Sequence, residues 1–135
     1  MALIERYPYI LNIVVLLPVC ALLWTGLAEE HLFEGKFGTW SDNFAALLAA
    51  MWTAVLIVSF IGLYAPHACK ALVLMQVVYK TIFLVLIAYP QIAAAGFASV
   101  PLAVYGVFFV MATSYTPWLM SMHNGCTDAD AKAKS

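Results

Sequence analysis

Lys80 is the residue in this chain best suited to chemistry, because it interrupts a long apolar run. Gln76 lies one helical turn before it and Tyr79 directly beside it, so Gln76-x-x-Tyr79-Lys80 is a polar patch on an apolar segment. If the run is a transmembrane helix, Lys80 lies about 15 Å from its start, at a rise of ~1.5 Å per residue. A charge near the middle of a bilayer costs about 2.5–3.5 kcal/mol on insertion scales, and such residues are usually functional. The pattern therefore predicts a binding site.

The apolar runs offer Lys80 no carboxylate as a partner. The nearest acidic side chains are Glu29, Glu30 and Asp42, at the ends of neighbouring runs, and a lysine stem can extend towards an interface. We therefore expect these three carboxylates near the external mouth of the site. The uncharged alternatives as partners are Thr25, Tyr105 and the backbone carbonyls near Pro18. Lys80 could also be held as the neutral amine, since removing a charge from water is costly.

Two interpretations of Lys80 stay open at this point. A functional lysine would bind a substrate anion, relay protons or gate a pathway. A structural lysine would extend towards an interface, or would pair within the bundle or with a partner subunit. The apolar runs contain no second ionisable side chain of an acid, base or histidine, whereas a proton relay usually needs several.

A second group of reactive side chains flanks the apolar runs, in the patterns His67-x-Cys69 and His123-x-x-Cys126. Both pairs lie on the same side of the membrane in the predicted topology, so the four side chains could meet. Two histidines and two cysteines can hold zinc in a tetrahedron. The spacings match no standard zinc pattern, so this metal-site prediction rests on proximity alone.

The elements that must position these residues are transmembrane helices. Hydrophobic residues make up 65% of the 135 residues and charged residues 10%, against about 25% charged residues in an ordinary soluble domain. The core of so short a chain could not bury that much apolar surface in water. Because lipid supplies no hydrogen bonds to the backbone, each apolar run must be a helix. The runs long enough to cross ~30 Å of hydrocarbon are about Tyr9–Ala28, Asn43–Tyr64, Ala71–Tyr89 and Phe97–Leu119.

The predicted fold is all-α, an antiparallel bundle of four transmembrane helices within residues 1–122. Pro66 and Pro90 follow the second and third runs, and we expect each proline to end a helix. Residues 123–135 are polar, and we expect them to form a disordered cytoplasmic tail.

The distribution of basic residues predicts the orientation. With four crossings both termini share one side, and Lys36 is the only basic residue expected on the other side. The side of the termini carries Arg6, Lys70, Lys132 and Lys134. The positive-inside rule therefore predicts that both termini lie in the cytoplasm, with the bundle in the inner (plasma) membrane.

Small residues recur at helical spacing in the second and fourth runs, and in lipid such faces let helices pack closely. One face consists of Ala46, Ala50 and Ala54, with Ala45 and Ala49 beside them, and the other of Ser99, Ala103, Gly106 and Thr113. We expect both to be contact faces between helices. The alternative is that they line a pore or a ligand groove.

Several classes of function lack the residues they need. A net charge of −1 gives no electrostatic case for a nucleic acid partner. No histidine lies deep in an apolar run for haem ligation, and there is no Cys-x-x-Cys for thiol chemistry. We therefore expect neither an enzyme nor a cofactor, and a partner set limited to lipid and other membrane chains.

In length, number of spans and predicted orientation the chain resembles the DoxX-like small membrane proteins, a functionally diverse group. The resemblance is one of topology over the whole chain and carries over no functional residues. Our leading hypothesis is a non-enzymatic accessory or assembly protein that acts by helix packing with itself or with a larger membrane complex. The alternative is a small transporter or ligand-binding bundle that uses Lys80.

Overall fold

The computed structural model describes residues 3–35 and 42–134, and the side chains of residues 42–44 and 126–130 lie outside that description. Within those ranges every regular element is helical. The α-helices are α1 (Leu3–Trp24), α2 (Ala28–His31), α3 (Asp42–Tyr64), α4 (Lys70–Phe83), α5 (Tyr89–Ala95) and α6 (Leu102–Ala133). A π-helical turn (Leu84–Ala88) joins α4 to α5, and a 3-10 turn (Phe97–Ser99) precedes α6.

Four helical stretches are long and apolar enough to cross a membrane. They are Leu3–Trp24, Ala45–Tyr64, Lys70–Ala95 and Leu102–Gly125. Large apolar side chains such as Ile57, Leu86 and Phe109 point outward from them, which is the pattern of helices whose solvent is lipid. The predictions of an all-helical fold and of four helices with the length and composition of membrane spans are confirmed.

The third span is longer than predicted, because Pro90 does not end it and the helix continues to Ala95. A proline has no N–H to donate, but a transmembrane helix tolerates it where a local π-type adjustment satisfies the carbonyls that it leaves without a donor. Pro90 lies in the first turn of α5, directly after the wider π-helical turn, in which the Tyr89 N–H donates to the Leu84 carbonyl. Gly96, with a φ of 80°, follows the end of the helix, as glycine commonly does.

The first and last helices also differ from the predicted spans at their ends. Helix α1 begins at Leu3 rather than Tyr9, and Ala28 lies in the short α2. Helix α6 continues to Ala133, into the polar segment 123–135 for which the composition predicts disorder. Alanine and lysine favour helix, and a helix that is already formed extends without a second nucleation cost.

Two helix pairs build the bundle, α1 with α3 and α4 with α6. The approach of α1 to α3 depends on Gly62, because a Cβ atom there would overlap the ring of Tyr9. Two clusters of buried side chains fill the interior. One cluster includes Leu16, Trp52 and Val104, and the other includes Tyr9, Tyr115 and Trp118.

The small-residue faces are mostly on the outer surface, so the prediction that they join the helices of this chain is wrong. On α3, Ala49 is buried and Ala45 half-buried, whereas Ala46, Ala50 and Ala54 are exposed. Before and on α6, the exposed members are Ser99, Ala103, Gly106 and Thr113. The reason is that bulky side chains such as Trp52 and Tyr115 occupy the inward positions of these helices.

Candidate functional site

Lys80 lies in the interior of the bundle. Its side chain is 2% exposed and that of Gln76 is 0% exposed. The two residues are one turn apart on α4, so the Lys80 Nζ donates a hydrogen bond to the Gln76 Oε1 at 2.6 Å. The structure therefore brings these two predicted site residues into direct contact.

Three aromatic rings surround the Lys80 amine and are called the aromatic cage below. The Nζ atom lies 4.9 Å from the ring centroid of Tyr79, 5.7 Å from that of Phe108 and 5.8 Å from that of Tyr115. The face of an aromatic ring attracts an ammonium within about 6 Å, more strongly when water is absent. Phe108 also packs edge-on against Trp52 and Tyr79, which holds its ring in position. The cage therefore stabilises a cationic Lys80.

No carboxylate among the described side chains pairs with Lys80, whose hydrogen bond goes to Gln76. Glu29 and Glu30 lie on α2 and are exposed. Asp42 begins α3, and its side chain lies outside the described residues. The role of these three carboxylates near a mouth therefore stays a prediction.

Two of the uncharged partners considered for Lys80, the Thr25 and Tyr105 side chains, have hydrogen bonds to other groups. The Thr25 hydroxyl donates to carbonyls of its own helix, at Ala21 and Leu22. The Tyr105 hydroxyl donates to the Gln91 Oε1 at 2.7 Å, which ties α6 to α5. Neither of these hydrogen bonds involves the Lys80 amine.

The site has more hydrogen-bond donors than acceptors. An ammonium has three donor hydrogens, and Lys80 uses one of them on Gln76. The Gln76 Nε2 is buried with no hydrogen-bond partner in the described part of the chain. Leaving a buried donor unpaired costs about 1–3 kcal/mol. An arrangement of this kind is completed by a group that accepts hydrogen bonds.

A cavity of about 100 Å³ adjoins Lys80. Lys80 and Tyr79 are among the residues that line it, and its surface is almost entirely apolar. The remaining wall is mainly aliphatic and aromatic, and includes Val15 and Val19 of α1, Trp52 of α3 and Val107 and Phe108 of α6. Ligand sites typically combine such an apolar lining with a few polar groups that orient the ligand.

The cavity extends from Lys80 to the end of the bundle at which α6 begins. Leu32, which follows α2, and Ala103, in the first turn of α6, line that end. Ala103 is exposed, whereas Val104 and Met111 farther along the helix are buried. The rise of α6 from Ala103 to Met111 is ~12 Å. Ala103 is therefore the exposed residue of the lining, and this end of the cavity is called the mouth below.

The sequence analysis missed a second buried polar group, which is centred on Asn12. Its Nδ2 donates to the Ser59 Oγ at 3.0 Å, and its Oδ1 accepts from the Tyr115 hydroxyl at 2.7 Å. The Ser59 hydroxyl donates in turn to the Val55 carbonyl. Tyr115 thus connects this network to the aromatic cage. The signal that could have found it is an asparagine inside an apolar run, because such residues hydrogen-bond across helices.

The predicted metal ligands do not form a cluster in the described part of the chain. His67 is exposed between α3 and α4, Cys69 is half-buried, and His123 is exposed on α6. No group of three or more metal-binding side chains occurs among the residues that the structure describes. The side chain of Cys126 is not among them, so the metal site stays a prediction.

Comparison with known proteins found no match to a family model, to a curated protein or to a solved structure. The resemblance to DoxX-like proteins is therefore limited to predicted topology. The function has to be argued from the geometry around Lys80.

Proposed function

We propose that this chain is a multi-pass protein of the inner (plasma) membrane and that its four-helix bundle binds a small ligand at Lys80, as a binding protein or a small transporter. The observation that carries the proposal is a buried lysine, without a carboxylate partner among the described residues, in the wall of an apolar cavity. A purely structural lysine needs no space beside it. A lysine that binds a ligand needs both space and unused hydrogen-bonding capacity.

In the proposed topology the four spans are antiparallel. Two hydrogen bonds of α1 support this arrangement. The Tyr9 hydroxyl donates to the carbonyl of Pro66, just after α3, and the Trp118 Nε1 donates to the carbonyl of Ile4. The start of α1 therefore lies close to the end of α3 and to the second half of α6.

The proposed orientation has both termini in the cytoplasm, which follows from the excess of basic residues on that side. The mouth at Leu32 and Ala103 then faces the outside of the cell. A ligand would enter there and meet an apolar wall before it reaches Lys80, about two turns of α6 deeper. The wall would select the apolar part of the ligand, while Lys80 and Tyr79 would bind its polar end.

The proposal is tested by asking whether water and small solutes reach the cavity. Val107→Cys puts a thiol in its wall, in a protein whose native cysteines, three in number, are replaced by serine. Methyl methanethiosulfonate reacts with a thiolate, which forms only where water has access. We expect Val107→Cys in lipid vesicles to react at least about ten times faster than a lipid-facing thiol, with the rate read by intact-protein mass spectrometry.

The matched control is Val110→Cys, because Val110 lies on the same helix and is 56% exposed on the outer surface. Adding Ala103→Trp, which narrows the mouth, should slow the reaction at position 107 and leave that at position 110 unchanged. Equally slow reaction at both positions would contradict a ligand-accessible cavity.

A second candidate function is an accessory or assembly role through helix packing with a second copy or with a larger membrane complex. The observation in its favour is that Ala46, Ala50 and Ala54 of α3 lie on the outer surface, where another helix could approach closely. This candidate would become the preferred one if the thiol at position 107 proved inaccessible.

A further inference from the structure

From the charge and hydrogen-bonding groups of the same cavity we infer that its ligand is a monocarboxylate with a small apolar body. This inference names the chemical class of the ligand and rests on the proposed binding function. It depends on three features of the site, which are its single positive charge, its excess of donors and its apolar, small volume.

The charge of the site favours an anion. Among the described residues that line the cavity, Lys80 is the single one that carries a positive charge when protonated. Its hydrogen bond to Gln76 and the aromatic cage stabilise the ammonium but supply no negative charge. In surroundings of low polarity an uncompensated cation attracts an anion more strongly than it does in water. A monoanion would neutralise the site, whereas a dianion would leave it with a net negative charge.

The hydrogen-bonding groups favour a carboxylate among monoanions. Two donor hydrogens of Lys80 have no acceptor in the described part of the chain, and Tyr79 beside it is also among the residues that line the cavity. A carboxylate accepts hydrogen bonds at both of its oxygens and donates none when ionised. Hydrogen bonds between an ammonium and a carboxylate are also among the strongest in proteins.

The remaining wall favours a small apolar body. The other residues that line the cavity are mostly valine, leucine and aromatic side chains, which would contact hydrocarbon rather than a second polar group. A cavity of about 150 Å³ in another protein holds benzene, and the cavity here is about 100 Å³. A short aliphatic chain would therefore fit inside, and a single aromatic ring is at the limit of what the cavity can hold.

The experiment compares benzoate with benzamide, which has nearly the same shape and no charge. Binding of each compound to the purified full-length protein in a non-ionic detergent is followed by saturation-transfer NMR of the ring protons. We expect saturable binding of benzoate and at least tenfold weaker binding of benzamide. Lys80→Met should weaken benzoate binding at least tenfold, and Lys80→Arg should retain most of it.

Two further variants separate a local effect from a general one. Lys70→Met removes an exposed lysine at the start of α4 and should leave benzoate binding unchanged. Ala103→Trp narrows the mouth while keeping Lys80, and should weaken binding even if Lys80→Met fails to fold. Circular dichroism and gel filtration report folding for each variant.

The possible outcomes distinguish the ligand class from the function. Benzamide bound as tightly as benzoate, with sensitivity to Ala103→Trp but not to Lys80→Met, would overturn the monocarboxylate and leave the binding cavity intact. If neither compound bound while the thiol at position 107 remained reactive, the monocarboxylate would also be overturned and the binding cavity would stand. Benzoate bound equally by all variants would show partition into detergent and overturn the inference. If neither compound bound and that thiol were unreactive, both proposals would fail.

Discussion

The nearest groups to the Lys80 amine are one amide oxygen and three aromatic rings. These groups compensate a charge less completely than a carboxylate would, and replacing buried ionic groups by apolar residues is often neutral or stabilising. A chain that needed only stability could use methionine or leucine at this position. The buried lysine therefore has an energetic cost that a binding role would explain.

Removing the polar pair should stabilise the bundle. We expect Lys80→Met alone to fold, with a free energy of unfolding within about 1 kcal/mol of the wild type, because Gln76 loses its partner as the charge is removed. The double variant Gln76→Leu/Lys80→Met should be more stable than the wild type by about 2 kcal/mol. Denaturation in mixed detergent micelles, followed by circular dichroism, measures both.

The same measurement can reject a functional interpretation of Lys80. If the double variant were less stable than the wild type, or if Lys80→Met were lost from the membrane during expression, the pair would be a structural requirement of the bundle. Lys70→Met is the matched control, because it removes an exposed lysine from the same helix.

Among the helices, the third span is the least regular. Its π-helical turn begins four residues after Lys80 and allows Pro90 to lie in the first turn of α5. Such turns are frequent near functional sites, because they change the direction in which the following side chains point. The Gln91 side chain of α5 accepts a hydrogen bond from the Tyr105 hydroxyl of α6. This bond fixes the end of the bundle that contains the mouth.

The pairing of α1 with α3 should depend strongly on one glycine. Gly62→Ala would drive a methyl group into the ring of Tyr9, whose hydroxyl also bonds to the Pro66 carbonyl, so we expect a loss of about 1–3 kcal/mol in stability. Gly106→Ala on α6 has no atom within 4 Å of the added carbon and should be neutral or slightly stabilising. Thermal denaturation of the two variants in parallel would check this, and equal stabilities would contradict the packing of α1 on α3.

The whole molecule presents one asymmetric feature, since the exposed residue of the cavity lining, Ala103, lies at the end of the bundle where α6 begins. The side of the membrane that this end faces determines where a ligand comes from. A small transporter would also need a path to the opposite end, which the buried cluster around Tyr9, Tyr115 and Trp118 fills. Movement of these rings would be required before a ligand could cross.

Membrane-impermeant maleimide labelling should establish the orientation. In a background without native cysteines, we expect Ser99→Cys, near the mouth, to be labelled in intact cells, because both termini are proposed to be cytoplasmic. His67→Cys, between α3 and α4, should be labelled only after the cells are broken. The native residues at the two positions, Ser99 and His67, are both exposed. The reverse pattern would invert the protein and open the cavity to the cytoplasm.

The sequence alone determined the all-helical fold, the four candidate spans and the position of Lys80 partway along the third of them. The physical reason is that a long apolar run in lipid has to satisfy its own backbone, which leaves the helix as its structure. Pro90 was the exception, because the effect of a proline depends on whether the preceding turn widens, which composition does not encode.

Only the tertiary structure decided what surrounds Lys80. Helices that are apolar on every side carry no pattern that fixes their rotation about their own axes. For that reason the sequence could not show that Phe108 and Tyr115 of α6 would face the amine, or that Asn12 would reach Tyr115. It also could not show that Ala46 and Ala50 would turn outward, or that a cavity would open beside the buried charge. These features depend on how the spans rotate and pair, and the shapes of the large side chains between the helices set that arrangement.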